Sequence, residues 1–364
     1  MNQHEIRFKQ ALDLQDRSDN AQQGDTVFID DCRMLRRTRR TLWIVALVLL
    51  VLAAAIYLRF KAPPEAARLL PESDGIVYVN LRPLRALLHK NLNPVTRAPE
   101  YQAFIDATGI DWERDLEEAA VALHRMPDPH GPNGPVAYST VLVGKLDGKR
   151  LARYLEAHAT DKEVYDGHAI YSLPSDGRTV RVAQIAYDTV AISNHPGTEQ
   201  IHSMLDRHRT AALPFSGSTL LAEHYSEMPL LSIAWGMGEI GLPFSEEGSI
   251  HVLGMELPLE PDTTFLASVH WAGVLKLRIV EIAATDATAA SQAASLNLLL
   301  TLARGATSGL GANAANNSLK EVLRTADISQ HRNRVIANAT LPQNLPVELL
   351  KGAENVGNDG NDSR

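Results

Sequence analysis

Cysteine is almost missing from this chain: Cys32 is the single thiol in 364 residues. Beyond that position no intrachain disulfide, thiolate-held zinc or cysteine-ligated iron–sulfur centre can form. Signatures of nucleophilic catalysis are missing too, with no G-x-S-x-G elbow and no S-x-x-K. Thirteen histidines are present, yet none pairs at i, i+4 as a zincin helix requires. His202 and His208 are six apart and project to different sides of a helix. His124 and His130 flank an Arg-Met-Pro-Asp-Pro stretch, and His195 precedes Pro196; all read as isolated side chains. An excess of positive charge is also lacking after residue 61. Residues 1–61 hold 10 basic and 7 acidic side chains, and the remainder holds 25 and 36, a net charge of −11. That balance argues against nucleic acid and against a second anionic membrane surface as partners.

What the sequence does have is one long apolar run. From Leu42 to Leu58 no charged or strongly polar residue occurs. At about 1.5 Å per helical residue these 17 positions span roughly 26 Å, a little less than a bilayer's hydrocarbon core of about 30 Å. Trp43 and Tyr57 stand near the two ends, where aromatic belts form, and Arg59 and Lys61 can snorkel to the interface. Arg33, Arg36, Arg37, Arg39 and Arg40 precede the run, whereas only Arg59, Lys61 and Arg68 follow closely. The positive-inside rule then predicts a cytoplasmic N-terminus and an extracytoplasmic remainder. Some forty residues precede the run and it is longer than a signal h-region, so an uncleaved anchor of the inner membrane is expected.

The pattern predicts an α+β protein: a single transmembrane helix followed by two loosely repeated α+β modules with mainly antiparallel sheets. The expected divisions are a largely disordered cytoplasmic tail at 1–40, the membrane helix at 41–61, and a stalk at 62–72 stiffened by Pro63-Pro64. The first module occupies 73–212, the second 213–351, and a polar tail 352–364. Val136–Leu146 reads as a strand and 147–159 as an amphipathic helix with Leu151, Tyr154 and Leu155 on one face. Asp166-Gly167 is a hairpin turn signal. The helix after Asn194 is expected to start at Pro196. An Ala-rich helix is expected from an Asp286 N-cap to Gly305, too interrupted by Ser, Gln, Asn and Thr to be a second span. The stretches around Ile185 and Ile328 share an order of strand, polar turn, strand, Asn, Pro, which suggests a domain-sized duplication.

"LLPESDGIVYVNLRPLRALL" followed by "FIDATGIDWERDLEEAAVAL" resembles a group of uncharacterised bacterial single-pass envelope proteins. The resemblance covers roughly residues 69–124. It implies topology and fold, and it brings no activity, cofactor or catalytic residue with it.

Gly236, Gly238 and Gly241 satisfy G-x-G-x-x-G, but Pro243 and Gly248 leave no room for the helix whose N-terminus would hold a pyrophosphate. The motif is expected to be a glycine-rich loop, and Glu256 and Glu260 have no βαβ unit to serve. The paired acids Glu117-Glu118, Glu246-Glu247 and Asp359/Asp362 read as solvated surface, and Ser216-Gly217-Ser218 as a loop. The Asn316 and Asn338 sequons and juxtamembrane Cys32 carry no stronger message. The expectation is therefore a membrane-anchored binding or scaffolding protein, with the bilayer and an envelope protein as partners and no cofactor. The alternatives are an extracytoplasmic hydrolase with dispersed residues and a transducer working through residues 1–40. Arg36, Arg37, Arg39, Arg40, Trp43, Tyr57, Arg59 and Lys61 are the residues expected to set anchoring and orientation.

Overall fold

The structure is a computed structural model that describes residues 41–58, 61–88, 98–131, 133–175, 177–210, 216–239, 249–252, 255–258, 263–307 and 314–342. Cys32, Arg36, Arg37, Arg39, Arg40, Arg59, Gly241 and both terminal tails lie outside them. Two compact units emerge, residues 1–61 and 62–364. In the first, helix α1 covers Thr41–Leu58 with a mean hydropathy of 2.7 and every side chain exposed.

The second unit is built on one antiparallel sheet of twelve strands. Its strands are β1 (Gly75–Asn80), β2 (Leu116–Arg125), β3 (Val136–Gly144), β4 (Asp161–Tyr165), β5 (His168–Ser175), β6 (Arg178–Ala186), β7 (Thr189–Ser193) and β8 (Ser232–Glu239). A separate hairpin, β9 (Ser249–Val252) with β10 (Met255–Pro258), intervenes. The sheet then resumes with β11 (Thr264–Trp271), β12 (Leu275–Ile282), β13 (Asp327–His331) and β14 (Arg334–Leu341). Across the sheet the order is β13-β14-β12-β11-β8-β1-β2-β3-β7-β6-β5-β4. Residues 73–212 and 213–351 thus supply the two sides of a single sheet, joined where β1 pairs with β8, Ile76 opposite Met237 and Tyr78 opposite Trp235. Outward from that seam one side reads β1-β2-β3-β7-β6 and the other β8-β11-β12-β14-β13.

The two-residue alternation of the strands sends successive side chains to opposite faces. On one face, Ile76, Tyr78, Ala120, Ala122, Val141, Met237, Leu266 and Val280 form the main core. It is covered by α2 (Glu65–Arg68) and the Leu69-Leu70 step after it, by α7 (Glu199–Thr210) and by α8 (Thr219–His224), through Ala67, Leu70, Ile201, Met204, Leu205 and Leu221. On the other face α6 (Gly148–His158) sets Leu151 and Leu155 on Tyr171, Val182 and Val190. Ile110 joins that cluster from between α4 (Pro99–Thr108) and α5 (Trp112–Asp115). At the far end α9 (Asp286–Ala306) packs Ala289 and Ala293 near Val335. Helices α3 (Leu81–Leu88) and α10 (Ala314–Thr325) complete the unit.

Several local expectations are corrected. The stalk at 62–72 is core: Ala66, Ala67 and Leu70 are fully buried and Leu69 nearly so, because the short helix Glu65–Arg68 after Pro64 turns its two alanines, and the two leucines that follow it, into the core of the sheet. The helix expected from Pro196 starts at Glu199. The Arg181 guanidinium donates to the carbonyls of His195, Pro196 and Gly197 at 2.8–3.1 Å, which holds those residues as a loop. The N-cap of α9 is Thr285 rather than Asp286, its hydroxyl accepting from Thr288 N at 3.1 Å, and Gly305 lies inside the helix. Gly236 and Gly238 sit in strand β8 rather than in a loop. The Asp166-Gly167 turn is as expected, both residues at positive φ (49° and 80°) between β4 and β5.

Candidate functional site

Of the residues expected to set anchoring, Trp43, Tyr57 and Lys61 are described. Trp43 and Tyr57 lie about 21 Å apart along the axis of α1 at 1.5 Å per residue, and both are exposed. Lys61 Nζ stands 5.8 Å from the Tyr57 ring centre, a cation over an aromatic face at one end of the helix. Among the described residues α1 is the one helix long and apolar enough to cross a membrane.

Inside the sheet unit a polar row crosses three strands. Ser139 on β3 lies opposite Ser193 on β7 and Ala122 on β2, and His124 is the next residue of β2 on the same face. His124 Nε2 is 2.9 Å from Ser139 Oγ, which is 3.1 Å from Ser193 Oγ, and His195 N donates to the latter at 3.3 Å. Burial pushes the His124 imidazole down to about 4, helped by His195, whose ring meets it edge-on with centroids 6.0 Å apart. The Asp74 carboxylate and a hydrogen bond to the Glu72 backbone act in the opposite direction. The His–Ser spacing is that of a base and its nucleophile. Ser139, however, has 0% exposure, so no substrate carbonyl can reach its oxygen in this conformation. The row works instead as a satisfied set of buried polar groups. The sequence shows these histidines as isolated; the register between β2, β3 and β7 brings His124 and His195 together.

A depression of about 1170 Å³ opens at the ends of β2, β3, β6 and α6. Asp147 caps α6, its carboxylate accepting from Lys149 N and Arg150 N at 3.2 and 3.1 Å, so the helix start is already satisfied. Arg82 pairs with Glu117, and Arg114 with Asp115 at 2.7 Å. The Arg114 pairing holds the Asp115 carboxyl below its usual range. Lys145, Lys149 and the 83%-exposed Tyr187 complete the rim. Gly144 is obligatory at the floor, where a Cβ would lie 2.5 Å from the Asp115 carbonyl oxygen. The cleft is broad, open and lined by both signs of charge, which suits contact with a polar surface. Glu117, read from sequence as solvated surface, is one of its charges.

Among the described residues no group of three or more His, Cys, Asp or Glu is placed to hold a metal ion. At Gly236 a Cβ would meet only ordinary contacts, 3.5 Å from Ile76 O and 3.7 Å from Val77, so no close approach there demands glycine.

No family model matches the chain, and no curated protein sequence matches it. Among solved structures, crystal form I of a protein named TP0453 overlays with a TM-score of 0.42 at 11% identity, covering 79% of this chain and 97% of that one. Crystal form III of TP0453 gives 0.41 at 10% identity, covering 76% and 94%. A likeness at this level carries no functional argument. What stands is a mixed α+β chain with a large antiparallel sheet and one apolar helix near its N-terminus that could anchor it in a membrane.

Proposed function

We propose that this is a membrane-anchored binding or scaffolding protein of the bacterial envelope, with residues 1–40 in the cytoplasm and the sheet unit outside. It would belong with the single-pass envelope proteins that its opening motifs resemble. The observation that carries the reading is α1, 18 residues of mean hydropathy 2.7 with no part buried. Such a surface is stable only when apolar neighbours cover it. The open, charge-lined cleft around Lys145, Lys149 and Tyr187 supports a role in contacting a partner. Topology is tested by labelling Cys32 with a membrane-impermeant thiol reagent. Labelling is expected only after permeabilisation, and labelling of intact cells overturns the orientation. Function is tested by crosslinking and co-purification from native membranes, which should recover a specific envelope partner. A defined turnover by the purified protein would sink the reading.

The hydrolase alternative draws on the His124–Ser139 contact, and the burial of Ser139 tells against it. A turnover lost in Ser139→Ala would establish it instead. We also infer that the two sides of the sheet are repeats of one unit. The matching strand orders around the β1–β8 seam support this, as do the equivalent places of the β6–β7 and β13–β14 hairpins. Sequence profiles of relatives, built separately for residues 75–210 and 232–342, should align to each other; failure to align removes the inference.

A further inference from the structure

Another cavity lies on the opposite side of the seam from the cleft, on the face of the sheet that carries the main core. There the apolar rows give way to polar ones. Leu266 faces Val280 across β11 and β12, and Val280 faces Ile336 on β14. Two residues along, Ser268 faces Arg278 and Arg278 faces Asn338; two further, His270 faces Lys276 and Lys276 faces Thr340. Directly opposed residues share a face, so His270, Lys276 and Arg278 converge on one patch together with Asn338 and Thr340. These five line a pocket of about 520 Å³, closed by the C-terminal end of α10 at Thr325 and by Glu227 and Pro229.

The charge in this pocket is unbalanced. Glu227, the one lining acid among the described residues, is engaged by Arg334 at 2.6 Å. Asp327 lies on the same row as Arg278 but one strand beyond Asn338, and forms no ion pair with it. Neither Lys276 nor Arg278 has a carboxylate within 4 Å among the described residues. Like charges two residues apart on one strand face repel unless something neutralises them. Their effect reaches His270, whose ring is held below its usual range first by burial and then by Lys276 and Arg278. His270 Nδ1 is also buried with no hydrogen-bond partner among the described residues. Two cations with no carboxylate partner among the described residues stand here, in a part of the chain whose net charge is −11.

The geometry points to this pocket as a binding site for a phosphate group, carried by a small soluble molecule or by a lipid headgroup. Arg278 supplies a fork that matches phosphate oxygens, Lys276 a point charge, and Asn338 and Thr340 neutral donors. These donors come from both β12 and β14, so several oxygens of one phosphate group can be engaged at once. The volume exceeds that of a bare phosphate, so the group would be part of a larger molecule. The inference rests on the binding reading proposed above and names a ligand class for it.

The test uses the full chain in a non-ionic detergent at low salt. Inorganic phosphate, glycerol 3-phosphate and dihexanoyl phosphatidylglycerol below its micelle concentration are titrated by calorimetry, against dihexanoyl phosphatidylcholine. Saturable binding is expected, weakened about tenfold or more in Arg278→Gln and Lys276→Gln by loss of a charged hydrogen bond, and unchanged in Lys162→Gln, a surface lysine paired with Glu156 away from both cavities. Binding of the first two probes marks a soluble ligand, and binding of phosphatidylglycerol alone marks a headgroup. In the unsubstituted protein the His270 ring resonance should move on titration, which keeps the test valid if a variant misfolds. No saturable binding of any probe, equal binding by the variants, or an unmoved His270 signal overturns the proposal. Continued capture of an envelope partner in that case would leave the binding reading standing without this pocket.

Discussion

His124 makes the sheet unit acid-sensitive in a way that can be isolated. Its imidazole is buried against Ser139 and faces His195, the Asp74 carboxylate and the Glu72 backbone. Folding lowers its affinity for a proton, from an ordinary value of 6.5 to about 4. Between those values the unfolded chain binds the proton and the folded one does not, so stability falls as pH drops through that window and is unaffected above it. At about 1.4 kcal/mol per unit, the loss is about 3 kcal/mol by pH 4 and about 2–3 kcal/mol between pH 7 and 4.5. His124→Gln keeps a hydrogen-bonding group beside Ser139 but does not titrate there. Urea unfolding of the detergent-solubilised chain at pH 7, 5.5 and 4.5 should show the parent losing about 2–3 kcal/mol more than His124→Gln, a difference in which the carboxylates common to both proteins cancel. Parallel profiles for the two proteins would falsify the account of a buried neutral histidine.

Other perturbations follow from the packing. Leu70→Ala should cost about 2–5 kcal/mol in the same unfolding assay, because Leu70 is wholly buried; a free stalk would tolerate it with no change. Gly144→Ala drives a methyl group into the Asp115 carbonyl and should cost about 1–3 kcal/mol, read as a lowered urea midpoint. Asp147→Ala removes the cap of α6 and should cost about 0.5–2 kcal/mol, with faster amide exchange at Lys149 and Arg150 as the local readout.

The parts of the molecule written in short periodic patterns are the parts the sequence makes legible. The apolar run of α1 is one-dimensional information, and so are the strand alternation from Val136 to Gly144 and the Leu151/Leu155 stripe of α6. Partner choice is different. Nothing local in Gly75–Asn80 says that its neighbour is Ser232–Glu239, so a single sheet cannot be distinguished from two modules by pattern alone. The segment after Pro64 looks like a linker because Ala66 and Ala67 carry almost no hydrophobic signal, yet small size is what lets that turn sit against the sheet. The Ser139–His124 row and the His270–Lys276–Arg278 patch each draw on two or three strands, and appear only once register is known.

The seam between β1 and β8 also sets a schedule. Gly75 waits for Gly238 and Val79 for Ala234. At about 5–20 residues per second, the roughly 160 residues between them take on the order of 8–32 s to be synthesised. During that interval β2 can already pair with one side of β1, while the other side remains an open edge of hydrogen-bonding groups beside Ile76 and Tyr78. The nascent chain therefore has a defined period in which it is vulnerable to pairing with the wrong strand, and that period ends when β8 emerges.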